Sequence, residues 1–368
     1  MEFWKCSLEN MEGLIMNKKD IFEFYKNKRI LITGHTGFKG TWLCKILQMA
    51  GSDVIGYSID YTTNPNLHHI IKFDEKIKWI KGDIRDYDSL KNAFDLVKPE
   101  IVFHLAAQPI VIESYNNPRY TYETNVMGTV NVLECIRNSD SVKAFVNVTT
   151  DKVYQNDELD KGYVEDDILN GYDPYSNSKS CSELVTSCYK NSFFSNNNVR
   201  ISTVRAGNVI GGGDFSDNRI IPDCVRAVLD KKEILVRNPN SIRPFQHVLE
   251  PLFAYMMIAK EEYFDEKYCS SYNIGPEYED CITTGELVTK FCDKWGENLK
   301  WHTENVNGPH EANFLKLDTN KIKEVFNWKA TWNIDNAIDK IVEFYKVYEL
   351  NQDVEPIMEK QINEFINE

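Results

Sequence analysis

The stretch that most constrains this fold is an apolar run that leads directly into three evenly spaced glycines. Residues 28–33, KRILIT, predict a buried strand, and residues 41–47, TWLCKIL, have the apolar spacing of a helix. Gly34, Gly37 and Gly40 lie between them. A dinucleotide pyrophosphate binds backbone N–H groups at a helix N-terminus, where the chain turns too tightly for side chains. The pattern predicts such a binding turn, with an ordinary glycine turn as the alternative.

The acid after the next strand indicates which dinucleotide is expected. Residues 53–59, DVIGYSI, predict a strand that runs into Asp60, about twenty residues beyond Gly40. A carboxylate there accepts hydrogen bonds from a ribose 2′-hydroxyl and repels a 2′-phosphate. We therefore expect NAD rather than NADP, and a solvated turn residue is the alternative reading of Asp60.

Strands continue to alternate with helices through residues 77–81, 101–108 and 144–148. This alternation predicts an α/β fold built on a doubly wound parallel sheet of the Rossmann type. Asp83, just beyond one strand, is placed to accept a hydrogen bond from an adenine amino group, although a loop carboxylate is an equal alternative. The other expected cofactor contacts are Thr36, Phe38, Ile84, Leu105, Ala106, Ala107, Asn125 at the start of a predicted helix, and Thr149.

From residue 207 onward the chain is divided into short elements. Six prolines between Pro222 and Pro309 interrupt it, and Gly211–Gly213 predict a flexible loop. We expect a second, smaller mixed α/β domain that binds the substrate. The predicted division is an N-terminal extension at 1–27, an NAD-binding domain at 28–206 to which parts of about 235–276 return, and a mainly substrate-binding domain at 207–368.

Composition excludes several classes of function. The formal net charge of −14 opposes binding to nucleic acid or to an anionic membrane surface. No stretch approaches the roughly 20 apolar residues of a membrane span, and the N-terminal segment lacks the apolar core of a signal peptide. We therefore expect a cytoplasmic protein. The nine cysteines form no C-x-x-C pair and the histidines have no metal-ligand spacing, so we expect no metal.

A cluster of proton-transfer residues follows the strand at 144–148. Asp151 and Lys152 come directly after it, and Tyr175 and Lys179 lie four positions apart on a predicted helix downstream. Groups at a strand end and on one helix face can be directed at one point. We therefore expect acid–base chemistry here, and a surface Asp–Lys ion pair is the alternative.

The glycine pattern with Tyr175-x-x-x-Lys179 resembles the extended short-chain dehydrogenase/reductases, many of which act on nucleotide sugars. Further stretches are similar to the CDP-glucose 4,6-dehydratase branch of that family: TGHTGFKG at 33–40, DPYSNSK at 173–179, RAGNVIGGGD at 205–214 and RPFQHVLEP at 243–251. The resemblance extends over residues 28–345. It implies that NAD is held tightly while CDP-glucose becomes CDP-4-keto-6-deoxyglucose.

The resemblance also implies a role for each residue of the cluster. Tyr175 takes the C4 hydroxyl proton, with its pKa lowered by Lys179, and Thr150 hydrogen-bonds that hydroxyl. Lys179 also holds the nicotinamide ribose, and both Tyr175 and Lys179 contact the cofactor. Asp151 protonates the departing C6 hydroxyl. Related dTDP-glucose dehydratases carry Asp-Glu where this chain has Asp151-Lys152, so Lys152 is the expected C5 base. That role requires its pKa to fall from about 10.4 toward about 7 to 8. The alternative is a permanent cation that stabilises the enolate.

Several further expectations concern the substrate and competing functions. An NDP-hexose 4-epimerase, a dehydratase of another nucleotide sugar and a dinucleotide-sensing regulator remain alternatives. By resemblance, a homodimer or homotetramer is expected. The residues expected to bind the substrate are Gln108, Asn208, Arg219, Arg243 and His310, the two arginines because their planar forks match phosphate oxygens.

Overall fold

A seven-stranded parallel sheet forms the centre of the computed structural model, which describes residues 17–157, 161–195, 197–304 and 315–368. The strands are β1 Arg29–Thr33, β2 Asp53–Ser58, β3 Lys78–Lys81, β4 Ile101–His104, β5 Ala144–Val148, β6 Arg200–Ala206, β7 Val209–Ile210, β8 Ile234–Leu235, β9 Ile242–Arg243, β10 Gln246–His247, β11 Ser271–Ile274, β12 Ile282–Thr283 and β13 Trp301–His302. The order in the large sheet is β3-β2-β1-β4-β5-β6-β11, and every neighbouring pair is parallel. The predicted fold class is confirmed.

Helices connect the strands and cover both faces of the sheet. They are α1 Lys18–Phe24, α2 Phe38–Met49, α3 Leu67–Ile70, α4 Tyr87–Val97, α5 Val111–Asn116, α6 Pro118–Tyr122, α7 Gly128–Arg137, α8 Pro174–Tyr189, α9 Ile220–Leu229, α10 Leu249–Phe264, α11 Thr284–Trp295, α12 Asn320–Phe326, α13 Ile334–Glu349 and α14 Glu355–Asn367. None of these described helices has the length and continuous apolar surface that a bilayer span requires.

The first strand shows why the sheet is covered on both sides. Ile30 and Ile32 pack into one core together with Trp42 of α2, whereas Leu31 packs into a second core with Leu133 of α7. Successive side chains of a strand point to opposite faces, so a strand buried on both faces must be apolar throughout. This is the physical reason that the continuous run at 28–33 predicts a central strand.

The helix that carries the tyrosine motif begins at a well-defined cap. The Asp173 side chain accepts a hydrogen bond from the backbone N–H of Ser176, and Pro174 occupies the first helical position of α8. Both features satisfy or remove N–H groups that have no partner at a helix start. They place Tyr175 in the first turn of α8, facing the end of β5.

The described chain beyond residue 206 contributes small two-stranded sheets and one strand of the large sheet. β7 pairs with β10, β9 with β12 and β8 with β13, while β11 joins the large sheet beside β6. The division of the chain into domains stays a prediction.

The glycines of residues 211–213 are packed rather than flexible. They and Asp214 are buried, the Trp42 indole donates to the Gly212 carbonyl at 2.9 Å, and the Tyr345 hydroxyl donates to the Asp214 carbonyl at 2.7 Å. The prediction of a flexible loop is therefore wrong. Glycine is needed here because α13 packs against the backbone.

Replacing Gly212 by Ala is expected to lower the free energy of unfolding by about 1–3 kcal/mol, the usual effect of overpacking a core. A Cβ at Gly212 would lie 2.1 Å from Cγ of Phe344. Urea denaturation measures the change. Gly275→Ala is the matched control, because its Cβ would lie no closer than 3.6 Å to any neighbour. Equal stability of the two variants would contradict the packed loop.

Candidate active site

The predicted site residues converge at the carboxyl edge of the sheet. The glycine turn follows β1, Leu105 to Gln108 follow β4, and Thr149 to Lys152 follow β5. The helix after β1 and the helices after β4 pack against opposite faces of the sheet. In open α/β sheets, ligands bind at the strand ends where the winding reverses in this way.

The glycine turn is shaped by close backbone contacts. Gly34 has a φ of +73°, and a Cβ on it would lie 2.6 Å from the backbone nitrogen of Ala106. A Cβ on Gly40 would lie 2.3 Å from the Gly34 carbonyl oxygen, whereas a Cβ on Gly37 would be 3.4 Å from the same atom. Contacts with other protein atoms therefore require glycine at positions 34 and 40, whether or not a ligand is bound. Gly37, the N-cap of α2, leaves its surface open for a ligand.

The end of β2 lies beside this turn. The Thr36 hydroxyl donates to the Asp60 carbonyl at 2.8 Å, which connects the turn to the predicted ribose contact. The Asp60 side chain is half exposed and 2.5 Å from the Lys81 ammonium, whose hydrogen bond lowers the pKa of Asp60. Asp83 lines an open groove of about 360 Å³ and is paired with Arg85. Both acids have the charge state that ribose or adenine recognition needs.

Gln108 and Asn125 are buried and form reciprocal hydrogen bonds. Asn125 accepts from the Gln108 N–H at 2.8 Å and donates to its carbonyl at 3.1 Å, while Gln108 Nε2 donates to Thr121. Asn125 does not open a helix as predicted. It lies in the π-helical turn Glu123–Met127 within a continuous run of helix that begins at Pro118. Cofactor contact by Asn125 and substrate contact by Gln108 stay predictions.

The segment after β5 presents a carboxylate and an ammonium to the site. The Thr150 hydroxyl donates to Asp151 Oδ1 at 2.9 Å, and Lys152 Nζ lies 3.6 Å from the same oxygen. Asp151 is 1% exposed, and its Oδ2 has no hydrogen-bond partner among the described residues. Because a buried oxygen without a partner is costly, Oδ2 is suited to exchange a proton with a ligand.

Tyr175 and Lys179 lie on one face of α8, both buried. Burial raises the pKa of Tyr175 to about 12, and a hydrogen bond with Thr150 only partly offsets this. The expected lowering of this pKa by Lys179 is therefore wrong for the protein alone. Burial lowers the pKa of Lys179 to about 8, and its ammonium donates to the Val148 carbonyl at 3.0 Å instead of to the phenol.

A third lysine, which sequence reasoning missed, faces the same space. Lys39, inside the glycine motif, donates to the Tyr255 hydroxyl at 3.4 Å. Burial, followed by the charges of Arg219 and Lys179, lowers the pKa of Lys39 to about 7. The motif showed a lysine at this position, but its spacing gave no sign that the side chain faces the catalytic groups.

Lys39→Met is expected to stabilise the protein by about 1–3 kcal/mol at pH 6 and by less at pH 9. A lysine whose pKa falls on folding binds more protons in the unfolded state between pH 7 and 10, so wild-type stability rises through that window. The variant lacks this rise. Urea denaturation at both pH values measures it, with the exposed Lys26→Met as control. An equal gain at both pH values would contradict a lowered pKa of Lys39.

The predicted phosphate ligands differ in their surroundings. Arg219 is 39% exposed, 3.9 Å from Asp214, and its charge acts on both Tyr175 and Lys39. Arg243 is 7% exposed, and Asn208 accepts a backbone hydrogen bond from Gln246. The structure thus brings Arg219 close to the catalytic groups. His310 lies outside the described residues.

Comparison with known proteins identifies the family. The family model described as GDP-mannose 4,6 dehydratase matches residues 31–341. The chain is 43% identical over 350 residues to the CDP-glucose 4,6-dehydratase of Salmonella typhimurium, covering 94% of this chain and 98% of that protein. It is 28% identical over 335 residues to a probable dTDP-glucose 4,6-dehydratase of Sinorhizobium fredii, covering 86% and 92%.

Solved structures share the fold at low sequence identity. UDP-glucose 4-epimerase of Thermotoga maritima with UDP-glucose superposes with a TM-score of 0.76 at 21% identity, covering 87% of this chain and 99% of that one. dTDP-glucose 4,6-dehydratase of Bacillus anthracis in complex with NAD gives 0.73 at 21% identity, covering 89% and 99%. The epimerase and the dehydratase superpose on this chain about equally well, so the fold alone does not distinguish the two activities. The family match and the motifs agree: the chain belongs to the GDP-mannose 4,6 dehydratase family of extended short-chain dehydrogenase/reductases.

Proposed function

We propose that this protein is an NAD-dependent hydro-lyase that converts CDP-glucose to CDP-4-keto-6-deoxyglucose. The observation that carries the proposal is the buried Asp151 beside Lys152, on the same edge of the sheet as Tyr175. A 4-epimerase needs the tyrosine and Lys179 but no second acid and base for elimination. The 43% identity to a CDP-glucose 4,6-dehydratase supports both the reaction and the nucleotide.

The residues around the glycine turn fit NAD. Gly37 leaves the N-terminus of α2 accessible to a pyrophosphate, and the Asp60 carboxylate at the end of β2 suits an unmodified ribose. Ala106 and Ala107 after β4 leave room for a flat ring. When bound, NAD supplies a hydride acceptor for C4 of the hexose and later a hydride donor for C6.

Oxidation at C4 requires a base for the hydroxyl proton, and Tyr175 takes that role. Its phenol has a pKa of about 12 in the protein alone, so ionisation near neutral pH needs additional positive charge. Arg219, outside α8, is a cation whose charge acts on the phenol and partly offsets the effect of burial. Thr150 holds the phenol and the C4 oxygen in line by hydrogen bonding.

Elimination across C5 and C6 requires a base and an acid at once. Transfer of one proton from the Lys152 ammonium to the Asp151 carboxylate produces both, over the 3.6 Å between Nζ and Oδ1. Exclusion of water by the bound sugar favours a neutral pair over two charges. Lys152 then removes the C5 proton, and Asp151 protonates the departing C6 hydroxyl.

A permanently charged Lys152 is the second reading of the same geometry. Its ammonium would stabilise the C4 enolate without accepting the C5 proton. The Lys152 side chain is 33% exposed, so part of it stays in contact with water. The two roles differ in whether the C5 proton exchanges with solvent through Lys152.

Arg219, Arg243 and Asn208 are the proposed contacts of the substrate diphosphate. Arginine forks form paired hydrogen bonds with phosphate oxygens. A homodimer or homotetramer in the cytoplasm remains the expected setting of the enzyme.

Incubation with CDP-, dTDP-, UDP- and GDP-hexoses tests the proposed function. Loss of one water from CDP-glucose, with ultraviolet absorbance of the product in alkali, is the expected result by mass spectrometry and absorbance. An unchanged mass with an inverted C4 would establish an epimerase instead. Water loss from a different nucleotide sugar would keep the reaction but replace the substrate.

A further inference from the structure

A buried ion pair lies directly beneath the catalytic residues. Arg205 Nε and Nη2 donate to the two carboxylate oxygens of Glu183, each at 3.0 Å. The two side chains are 3% and 2% exposed. Arg205 Nη1 also donates to the Tyr154 hydroxyl at 2.8 Å and to the Glu165 carbonyl at 2.9 Å. We call this unit the Glu183–Arg205 pair.

Glu183 is fully engaged by hydrogen bonds from different elements. Besides Arg205 of β6, it accepts from the Thr149 hydroxyl at 2.5 Å and from the Thr203 hydroxyl at 2.6 Å. Taking two charges out of water is costly, and apolar residues of similar volume often stabilise a core as well. A buried ion pair is therefore weak evidence for a contribution to stability. The hydrogen bonds of the pair also fix the position of the neighbouring backbone.

The pair holds both ends of one short catalytic segment. Glu183 binds Thr149, where residues 149–154 begin, and Arg205 binds Tyr154, where they end. Between these points lies Asp151-Lys152, in a single 3₁₀ turn. Glu183 also lies on α8, one helical turn after Lys179. One ion pair thus joins the elimination residues to the helix that carries the redox residues.

The same carboxylate acts on the charge of Lys179. Burial lowers the pKa of Lys179, and the negative charge of Glu183 opposes that fall. The other groups that face Lys179 are Tyr175 on its own helix, the Val148 carbonyl of β5, His104 of β4 and Lys39 of α2. His104 is neutral, because burial lowers its pKa to about 3. Glu183 is therefore the main anionic neighbour of Lys179 among the described residues.

We propose that Glu183 and Arg205 are positioning residues that fix residues 149–154 against α8. The inference rests on the proposed function, since it assigns elimination to Asp151-Lys152 and hydride chemistry to Tyr175. Both side chains of the pair are buried. Their effect is to set the distance between the elimination residues Asp151-Lys152 and the redox residue Tyr175.

Glu183→Gln tests the proposal, because it keeps the side-chain shape and removes the charge. We expect kcat to fall about 10–100-fold, as for a catalytic group displaced by about 1 Å, with little change in KM. NAD titration of the variant against pH should show affinity lost at lower pH than in the wild type, because Lys179 deprotonates earlier. The matched control is Glu262→Gln, a buried glutamate whose pKa burial raises and whose partner is Ser202.

A second pair of variants separates positioning from folding. Thr149→Val and Thr203→Val each remove one hydroxyl donor to Glu183, and only the first loosens the catalytic segment. We expect Thr149→Val to slow C5 exchange about 10-fold more than it slows C4 oxidation. Thr203→Val should leave the ratio of the C5 exchange rate to the C4 oxidation rate unchanged. Equal effects of the two variants, or a Glu183→Gln enzyme that is only less stable in urea, would overturn the proposal.

The two proposals fail in distinguishable ways. A wild-type protein that dehydrates no nucleotide sugar would refute the proposed function. The pH dependence of NAD affinity would still test whether Glu183 holds the charge of Lys179, because that titration contains no sugar. An unchanged pH dependence in Glu183→Gln would show that Glu183 does not hold the charge of Lys179. An unchanged kcat in Glu183→Gln, beside an active wild type, would refute only the positioning role.

Discussion

Replacing Tyr175 by Phe is expected to lower kcat by about 10²–10⁴-fold, the usual contribution of a general base. The aromatic ring stays in its buried place on α8, so the fold is retained while the proton acceptor for the C4 hydroxyl is lost. Because hydride leaves C4 only as that proton is removed, reduced nicotinamide should not accumulate in a single turnover. Stopped-flow absorbance of the reduced nicotinamide measures this step directly.

Tyr25→Phe is the control for loss of a buried phenol. The Tyr25 hydroxyl donates to the Met256 carbonyl at 2.7 Å, under α10 and away from the site. This variant should lose stability through the missing hydrogen bond but retain kcat. If Tyr175→Phe oxidised C4 at the wild-type rate, another group would have to be the base, and Lys39 would be the first candidate by position.

The second large effect is expected from Asp151→Asn and Lys152→Met, which should block elimination while leaving oxidation active. Each variant is expected to lower the overall rate by about 10²–10⁴-fold. Because Tyr175 and Lys179 remain, the first half-reaction should still proceed and reduced nicotinamide should accumulate. Stopped-flow absorbance and product mass distinguish a stalled 4-keto intermediate from the finished 4-keto-6-deoxy sugar.

Solvent-deuterium exchange at C5 then separates the two readings of Lys152. If Lys152 is the base, Lys152→Met should lose exchange while Asp151→Asn retains part of it. A Lys152→Met enzyme that exchanged C5 at the normal rate would eliminate the base role and favour a fixed cation. Lys161→Met, at an exposed position, is the control for loss of a lysine charge near the same segment.

The positions of the first strands along the chain and the polar groups at their ends were predictable because they depend on short-range patterns. A strand buried on both faces must be apolar, as β1 is, and Gly40 is required by a contact of less than 3 Å with Gly34 in the same turn. Tyr175 and Lys179 share a helix face through their four-residue spacing. Asp151-Lys152 follows a strand end, where parallel sheets bring their functional groups together.

Other features could not be predicted because residues distant in sequence create them. The π-helical turn at Asn125 forms where its amide meets the backbone of Gln108 and the Ser178 hydroxyl. The glycines at 211–213 looked like a flexible loop because their composition is that of a loop. Packing against Trp42 and α13 makes them part of the core. The pKa of the Tyr175 phenol also depends on burial, and burial cannot be predicted from the spacing of a motif.

For this protein, the sequence alone determined the family, the parallel sheet and the residues proposed as catalytic groups, because motifs record local backbone geometry. Tertiary structure alone decided how those groups are held. Glu183 and Arg205 are 22 positions apart, yet they close one buried network around residues 149–154. Lys39 and Tyr255 are 216 positions apart and meet in the same site. Such contacts follow from how helices and strands pack, and packing is not visible in the spacing of a motif.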